Sequence, residues 1–428
     1  MMMRKHFIHT VAVLLVSLSA YGQQVIERDY HVNLENEAVR SYMKEVVYEP
    51  GDTSLIDNYK INVKHIEDWP LPVVVDIPTV NADSVLIECV NNEIMPEEFY
   101  QFKAPTDNNT YEIFNLTPNR IYQYRIIDNE HVLQQGKIYT EGQVRMIKIP
   151  RGSCNIRDMG GWKTVDNQRM KYGKIIRGSE LNGELSTTEE GINILRSLGI
   201  SSELDMRAWY NNNGNNTSAF GFQDENSTPA DEVPTYYYTN NSGQLPEHMS
   251  VFNWQYRWRK EFQFIVANLR EGRTIYQHCV SGRDRTGYLS VLLEGILGVS
   301  YSDIIKDFEL TYFAFNLKSK KDSIDKVFNY IEKLRGTTLR DKFETYFLYE
   351  LSVSASDIDY FRSEMLEPDT SDETNVAIHH VGNSRNEKTS DCLYDLAGRR
   401  MSAIGDRQLY ITRDKDGNVR KMLRRRSY

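Results

Sequence analysis

The residues with the most distinctive chemistry lie in one short segment, His278-Cys279-Val280-Ser281-Gly282-Arg283-Asp284-Arg285-Thr286-Gly287. A β-prone run precedes this segment and an apolar helical pattern follows it. The loop is therefore expected at the carboxyl end of a strand and the amino end of a helix, where open α/β sheets bind ligands. Inward-turned backbone N–H groups and the helix dipole would bind an anion there. The same positive field favours the thiolate of Cys279, which makes it a nucleophile at neutral pH.

We call residues 279–285 the signature loop. Arg285 lies six positions after Cys279, where a tight loop brings its planar guanidinium beside the sulfur. A guanidinium holds two phosphoryl oxygens at once and stabilises negative charge in a transition state. The residues predicted to bind the phosphate are Val280, Ser281, Gly282, Arg283, Asp284 and Arg285.

This Cys-x5-Arg loop resembles that of the cysteine-dependent phosphatases. The longer pattern, H-C-x-x-G-K/R-D-R-T-G, is similar to that of the bacterial tyrosine-phosphatase-like branch, which also includes enzymes acting on phosphoinositides. Three further stretches resemble motifs of that branch, in the same order: Asn155–Trp162 is similar to NFRDLGGY, Ile176–Leu181 to YRSGEL, and Leu198–Arg207 to LGI followed by DLR. The resemblance covers roughly 220 residues and is much more specific than a single loop.

The resemblance implies hydrolysis of phosphomonoesters through a phosphocysteine intermediate, without a metal or any other cofactor. In this scheme Cys279 is the nucleophile, Arg285 the phosphate clamp, and Thr286 a hydroxyl that supports the leaving thiolate. We expect His278 to order the loop through hydrogen bonds and not to transfer protons. Three more residues either touch substrate or pair with one another and brace the loop, and tight packing at Gly160-Gly161 favours bracing. They are Arg157, Asp158 and Arg207.

The leaving oxygen needs a proton, and the sequence leaves its source open. No W-P-D motif occurs in the chain. Asp284 resembles the aspartate of the family's loop and is the first choice as general acid. Asp224, Glu225 and Asp231 lie in an acidic loop that would act as a lid, and they are the alternative.

The sequence also leaves the substrate undecided between a phosphorylated protein, a phosphorylated lipid and a phosphorylated inositol. Arg283 adds a second cation, which in this superfamily often accompanies substrates with several phosphates, whereas phosphotyrosine needs only one. Trp254, Tyr256 and Trp258 are expected in the core. Cys154 precedes the Asn155 motif, and we expect it to form a reversible disulfide with Cys279 under oxidation.

Two other classes of protein compete with this interpretation. A catalytically silent phosphate-binding or surface-adhesion module would have no use for a nucleophile, so the intact Cys279, Asp284, Arg285 and Thr286 argue against it. A metallophosphatase would need clustered metal ligands. The nine histidines supply only one adjacent pair, His379-His380, and we predict no metal site.

The amino terminus predicts export to the periplasm, the outer surface or the medium. Arg4 and Lys5 precede a short apolar run and small residues near Gly22, which is typical of a signal peptide. Its removal changes the formal charge from -9 to -11, because it carries two basic and no acidic residues. An acidic chain argues against nucleic acid as a partner, and no later stretch is long enough to span a membrane.

We predict a multidomain chain: a β-sandwich, a three-layer α/β cysteine-phosphatase domain and a small β-rich tail. Leu116-Thr-Pro118-Asn-Arg-Ile-Tyr122 resembles the L-x-P-x-x-x-Y corner of fibronectin type III domains, which would serve as a spacer or an attachment module. The tail resembles carboxy-terminal sorting signals of some bacteria. The predicted segments are a signal peptide at 1–22, an unassigned segment at 23–66, the sandwich at 67–145, the catalytic domain at 146–367, a linker at 368–390 and the tail at 391–428.

Overall fold

The computed structural model describes residues 24–60, 69–91, 98–150, 152–208, 216–239, 254–315 and 317–369, and three strands near the carboxyl terminus. The predicted signal peptide lies outside the described residues, as does most of the predicted linker. Contacts divide the chain into two compact units, Met1–Ser371 and Asp372–Tyr428.

The described residues form eighteen strands and nine α-helices. The strands are β1 (Ile26–Glu27), β2 (Tyr30–Asn33), β3 (Val73–Asp76), β4 (Ser84–Asn91), β5 (Phe99–Pro105), β6 (Thr110–Ile113), β7 (Ile121–Asp128), β8 (His131–Glu141), β9 (Arg157–Asp158), β10 (Gln168–Met170), β11 (Ile175–Gly178), β12 (Ile200–Asp205), β13 (Tyr236–Tyr238), β14 (Thr274–His278), β15 (Leu366–Pro368), β16 (Cys392–Tyr394), β17 (Leu409–Arg413) and β18 (Val419–Leu423). The helices are α1 (Glu37–Glu45), α2 (Ile56–Lys60), α3 (Glu189–Ser197), α4 (Gln255–Arg270), α5 (Asp284–Leu297), α6 (Tyr301–Ala314), α7 (Lys321–Ile331), α8 (Leu339–Thr345) and α9 (Ala355–Met365).

The amino-terminal region contains a six-stranded sheet in which β1, β8, β7, β4 and β5 follow one another and β2 also pairs with β8; β3 and β6 form a second, two-stranded sheet. Side chains of β4 alternate between buried and half-buried, as expected when one face of a strand covers a core. The buried hydroxyl of Tyr122 accepts a hydrogen bond from the Thr117 N–H at 3.0 Å, which closes the corner that the sequence predicted. Kinship with fibronectin type III domains stays a prediction.

The segment before this region, which the sequence left unassigned, serves two parts of the fold. Strands β1 and β2 add to β8 of the amino-terminal sheet, whereas α1 and α2 pack near α6 of the catalytic region. The link to α6 centres on the fully buried Glu309, whose carboxylate accepts hydrogen bonds from the hydroxyls of Tyr42, Tyr48 and Ser54. A buried carboxylate needs such donors because burial removes its hydration.

The sheet that carries the signature loop has the order β13-β12-β14-β11-β9. Its first four strands are parallel, and β9 is antiparallel to β11. The core beside the sheet is largely helical, and every residue of α5 from Thr286 to Leu297 is buried. This uniform burial explains why α5 reads as an apolar run and not as an amphipathic pattern.

Local sequence patterns predict a strand at Thr274–His278 and helices at Thr188–Leu198, Asn253–Leu269, Thr286–Leu297, Ser302–Phe315 and Leu339–Leu351. Two of these helices have a different start or a different helix type in the structure. Helix α5 begins at Asp284, two residues before the predicted start at Thr286, so two residues of the signature loop already belong to its first turn. The helix predicted from Leu339 to Leu351 is α only to Thr345, and a π-helical turn, Tyr346–Glu350, continues it.

The small β unit predicted near the carboxyl terminus is present as an antiparallel sheet, β16-β17-β18. None of the described helices is long and apolar enough to cross a bilayer. The chain is thus a mixed α/β protein with several sheets, as predicted. Its assignment to a β-sandwich, a three-layer domain and a sorting tail stays a prediction.

Candidate active site

The signature loop joins the central strand β14 to the amino end of α5. His278 is the last residue of β14, Cys279 follows it, and α5 begins at Asp284. Cys279 is 2% exposed, and Gly282 in the middle of the loop has a φ of 66°. The loop therefore lies at the carboxyl edge of a parallel sheet, with the positive end of a helix dipole directed at it.

Four successive carbonyl groups of the loop are held by donors outside it. The Cys279 carbonyl lies 3.1 Å from His278 Nδ1, and the Val280 carbonyl accepts from the Glu180 N–H at 2.9 Å. The carbonyl of Ser281 accepts from Asn155 Nδ2 at 3.1 Å, and that of Gly282 from Arg177 Nη2 at 3.0 Å. In a trans peptide the C=O and the next N–H point in opposite directions. The N–H groups of residues 280–283 therefore face away from these donors and form an anion-binding nest.

The thiol of Cys279 has a lowered pKa. Burial raises it, but the charge of Arg285, together with smaller effects of the neighbouring Thr286, outweighs burial. Arg285 is itself fixed, because its Nη1 donates to the Met206 carbonyl at 2.8 Å. The nucleophile, its counter-charge and the supporting hydroxyl predicted from sequence therefore lie together. Thiolate, guanidinium and amides around one point form a site for a tetrahedral dianion.

His278 is fully buried and contacts both the signature loop and the neighbouring strand β12. Burial lowers its pKa, but the charge of Asp205 and the hydrogen bond to Glu203 outweigh burial and leave the pKa above its ordinary value. Its Nε2 lies 3.0 Å from Glu203 Oε1. Because a carbonyl oxygen can only accept, Nδ1 is the donor to the Cys279 carbonyl. This arrangement agrees with the ordering role expected for His278.

A buried ion cluster lies behind the loop. Asp307 of α6 accepts from Arg157 Nε at 2.9 Å and from Arg177 Nη1, and all three side chains are at most 1% exposed. Burial raises the pKa of Asp307, but the two guanidinium groups outweigh burial and hold it below its ordinary value. Burial and the charge of Asp307 raise the pKa of Glu294 well above its ordinary value. Because Arg177 also holds the Gly282 carbonyl, the cluster determines where the loop lies.

The expected pairing among Arg157, Asp158 and Arg207 is wrong, because each has a partner outside the group. Arg157 pairs with Asp307, as described above. Asp158 pairs with Arg145 at 3.5 Å. Arg207 pairs with Asp205 at 2.7 Å and with Glu180 at 3.2 Å. All three side chains are buried, which accords with bracing and not with exposure to substrate.

Asp284 is held as a carboxylate by two cations. Arg283 contacts both of its oxygens, at 3.0 and 2.8 Å, and Lys320 Nζ lies 3.3 Å away. Burial raises the pKa of Asp284, but hydrogen bonding and charge from Arg283, together with Lys320, hold it below its ordinary value. Arg283 is therefore engaged with its neighbour and is not a solvent-facing side chain.

The alternative general acids, Asp224, Glu225 and Asp231, do not share the position of Asp284 beside the signature loop. Asp224 is half-buried, and its side chain caps a local turn by accepting from the Ser227 N–H at 2.9 Å. The hydrogen bond from the Ser227 side chain is the main cause of its lowered pKa. Glu225 and Asp231 are exposed in this segment. The structure records no contact of these three carboxylates with the signature loop among its described residues.

Two further expectations have mixed outcomes. Trp258 is 1% exposed, as expected for a core residue, but Tyr256 is 66% exposed and is not in the core. Cys154 and Cys279 are both free thiols, and burial raises the pKa of Cys154 to about 11. Their pairing under oxidation stays a prediction. His379-His380 lies outside the described residues, and within the described ones no three potential ligands converge to hold a metal ion.

Comparison with known proteins now bears on the site. A model of the tyrosine phosphatase family matches residues 150–367, just over half of the chain and the whole of the region around the signature loop. The chain belongs to the tyrosine phosphatase family. A relative in Cupriavidus necator, named "Putative tyrosine-protein phosphatase", is 26% identical over 164 residues, which are 36% of this chain. The match covers 59% of that relative's length.

This member of the tyrosine phosphatase family also contains residues near the site that sequence reasoning missed. Asp307 and Glu203 were not singled out, although each is an acidic residue inside a predicted helix or strand. A central strand of a parallel sheet is buried on both faces, so the carboxylates of Glu203 and Asp205 in β12 were a usable signal of buried ion pairs. Lys320 gave no such signal, because it lies in a basic stretch that is usual on a surface.

Glu261 of α4 is a third missed residue. It is 1% exposed, and its Oε2 has no hydrogen-bond partner among the described residues. Burial raises its pKa from 4.5 to about 8, against smaller opposing effects of Thr239, Arg257 and Arg285. Glu261 is therefore an uncharged acid within the electrostatic reach of the phosphate clamp.

We expect Gly282→Ala to disrupt the signature loop. An added Cβ would lie 2.3 Å from the Gly178 carbonyl oxygen and 2.5 Å from its carbon, and a φ of 66° strains any other residue. The free energy of unfolding should fall by roughly 1–3 kcal/mol and affinity for inorganic phosphate should drop. Gly272→Ala is the matched control, since its φ is 69° and an added Cβ meets nothing within 4 Å. Equal phosphate affinity in both variants would contradict the clash.

Glu261→Gln should make stability less dependent on pH. The folded protein keeps a proton on Glu261 that the unfolded chain releases above 4.5, so wild-type stability falls by about 1.4 kcal/mol per pH unit from 4.5 to about 8. Glutamine mimics the neutral acid, so the variant should be more stable than wild type at pH 8 and nearly equal to it at pH 5. Denaturant unfolding at both pH values measures this, with Glu271→Gln, at the exposed end of the same helix, as control. A difference that does not change with pH would refute the assignment.

Proposed function

We propose that this tyrosine phosphatase family member hydrolyses phosphomonoesters through a phosphocysteine intermediate on Cys279. The hydrogen bonds to four successive loop carbonyls carry this proposal, because they leave the N–H groups of the same peptides facing the other way and able to bind an anion beside Cys279 and Arg285. A lowered thiol pKa beside a fixed guanidinium supports the same chemistry.

In the first step the Cys279 thiolate attacks phosphorus and forms an S–P bond. The bond from phosphorus to the leaving oxygen breaks, and that oxygen takes a proton from a general acid. The equatorial oxygens remain bound to the loop amides and to Arg285, which stabilise their charge in the transition state. The products of this step are the dephosphorylated alcohol or phenol and the phosphocysteine.

In the second step water attacks the phosphocysteine and gives up a proton to the base left by the first step. The S–P bond breaks, inorganic phosphate leaves and Cys279 returns to the thiolate. Thr286 donates to the departing sulfur, a role supported by its lowering effect on the Cys279 pKa and by a buried hydroxyl that has no other hydrogen-bond partner among the described residues. The same interaction that lowers the thiol pKa therefore also makes the sulfur a better leaving group.

Asp284 remains the first choice as general acid, although it is ionised before substrate binds. A phosphate dianion bound at the loop would place negative charge near its carboxylate and would compete for Arg283. Both effects favour protonation of Asp284, since a nearby like charge raises the pKa of an acid and loss of a cation does the same. The acid is thereby prepared only when substrate is present.

The substrate class stays within phosphotyrosine proteins and phosphoinositides or inositol phosphates. The family supports phosphorylated substrates in general, and the basic pair of Arg283 and Lys320 beside the loop is compatible with both classes. Export through a signal peptide, and a place in the periplasm, on the outer surface or in the medium, belong to the same proposal.

The direct test is turnover of four substrates in the presence of a chelator: a phosphotyrosine peptide, a phosphoserine peptide, a phosphoinositide and an inositol phosphate. We expect wild-type turnover to resist the chelator. Cys279→Ser should lower kcat by on the order of a thousandfold or more while inorganic phosphate still binds. A Cys279→Ser protein that binds phosphate and turns over like wild type would reject the mechanism, and an inactive wild type that binds phosphate would favour the silent module.

A second test identifies the general acid. Asp284→Asn should lower kcat by roughly a hundredfold for phosphotyrosine, and much less for an aryl phosphate whose leaving group is already acidic, because only the poor leaving group needs the proton. Asp224→Asn is the matched control and should stay near wild type for both substrates. A large loss of kcat in Asp224→Asn, with Asp284→Asn near wild type, would instead assign the general acid to the acidic loop.

A further inference from the structure

Arg145 connects the amino-terminal sheets to the catalytic region. It lies between β8 and β9, and its side chain is 3% exposed. Its Nη2 donates to the Tyr100 hydroxyl at 2.9 Å and to the Asn115 carbonyl at 2.8 Å, both in the amino-terminal region. Its Nη1 faces Asp158 of β9 at 3.5 Å. One buried guanidinium thus holds groups from both regions.

The attachment to β9 involves the backbone as well. The Asp158 N–H donates to the Arg145 carbonyl and the Ile147 N–H to the Ile156 carbonyl, both at 2.9 Å. Asp158 is fixed further by the N–H groups of Gly160 and Gly173, at 2.9 and 2.7 Å. Arg145 therefore meets an Asp158 that has little freedom to move.

Strand β9 is only two residues long, and its side chains point to opposite faces. Asp158 faces Arg145, whereas Arg157 faces the ion cluster behind the signature loop. A shift of Asp158 along or across the strand must move Arg157, because the two are joined by one rigid peptide.

Arg157 in turn positions Asn155. Its Nη1 donates to Asn155 Oδ1, and Asn155 Nδ2 donates to the Ser281 carbonyl of the signature loop at 3.1 Å. Asn155 has a φ of 57°, in the left-handed region that asparagine adopts more readily than other residues with a side chain. The contacts from Arg145 to Ser281 are therefore continuous, buried and individually fixed.

We propose that Arg145 is a positioning residue for Cys279: through β9 and Asn155, the amino-terminal sheets help to set the shape of the signature loop. This proposal rests on the proposed function, in which that loop is the reaction site. The amino-terminal region is then part of the catalytic machinery and not only a spacer or an attachment module.

The test compares Arg145→Met with Arg120→Met in the full chain. Arg120 is a buried arginine of the same junction, 8% exposed, which lies over the Tyr172 ring and pairs with Glu367 at 4.0 Å instead of with β9. The rate of Cys279 alkylation by iodoacetamide is measured against pH, with affinity for inorganic phosphate. We expect Arg145→Met to shift the alkylation profile to higher pH, weaken phosphate binding and lower kcat by up to about a hundredfold. Arg120→Met should lower the melting temperature and leave the profile in place.

Arg145→Lys keeps the positive charge but loses the planar guanidinium with its several donors. Its alkylation profile should therefore lie between those of wild type and Arg145→Met. If Arg145→Met does not fold, Tyr100→Phe and Asn155→Ala replace it in a double-mutant cycle on the alkylation rate. Coupled effects of these two changes would support the proposal, and strictly additive effects would overturn it. A folded Arg145→Met protein with the wild-type profile would also overturn it. Neither alkylation nor phosphate binding requires turnover. If the protein had no phosphatase activity, the proposed function would be rejected, but these two measurements would still test the positioning role of Arg145.

Discussion

The catalytic region depends on one constraint: four successive carbonyls of the signature loop accept hydrogen bonds from donors outside the loop. A nest of inward N–H groups cannot form unless the opposite ends of the same peptides are satisfied elsewhere, because a buried carbonyl without a donor is costly. The donors come from four separate places: His278 at the end of β14, Glu180 after β11, Asn155 before β9 and Arg177 within β11. All four donors lie in motifs that resemble those of the family, so motifs that are far apart in the sequence hold the same loop.

Holding the loop in this way also requires charged side chains to be buried. Arg177 places a cation in the interior, where it needs an anion. Asp307 pairs with the arginines and Glu203 with the histidine, while burial and the charge of Asp307 raise the pKa of the nearby Glu294. The amino-terminal segment joins the same system from outside, since Tyr42 and Tyr48 fix Glu309 on the helix that supplies Asp307.

Much of the local structure was predictable. Strand β14 was predicted with its observed bounds, and α3, α4 and α6 within two residues at either end, because a short β-prone run and helical apolar spacing are local signals. Strand β5 was missed, since Phe99–Pro105 alternates exposed and half-buried residues and has one fully buried side chain. The start of α5 was placed two residues late, because its first turn, Asp284-Arg285, is polar and belongs to the loop in sequence terms.

The sequence by itself determined the chemistry: a cysteine and an arginine six positions apart in a glycine-containing turn between strand and helix can bind only a small range of ligands. It did not determine the partners of the supporting charges. Arg157 was expected to pair near its own motif, yet its anion is 150 residues away on α6, and Asp158 faces the amino-terminal region instead. Such pairs are decided when helices and strands pack, because the free energy of a buried charge depends on what surrounds it in space and not on its neighbours in the chain.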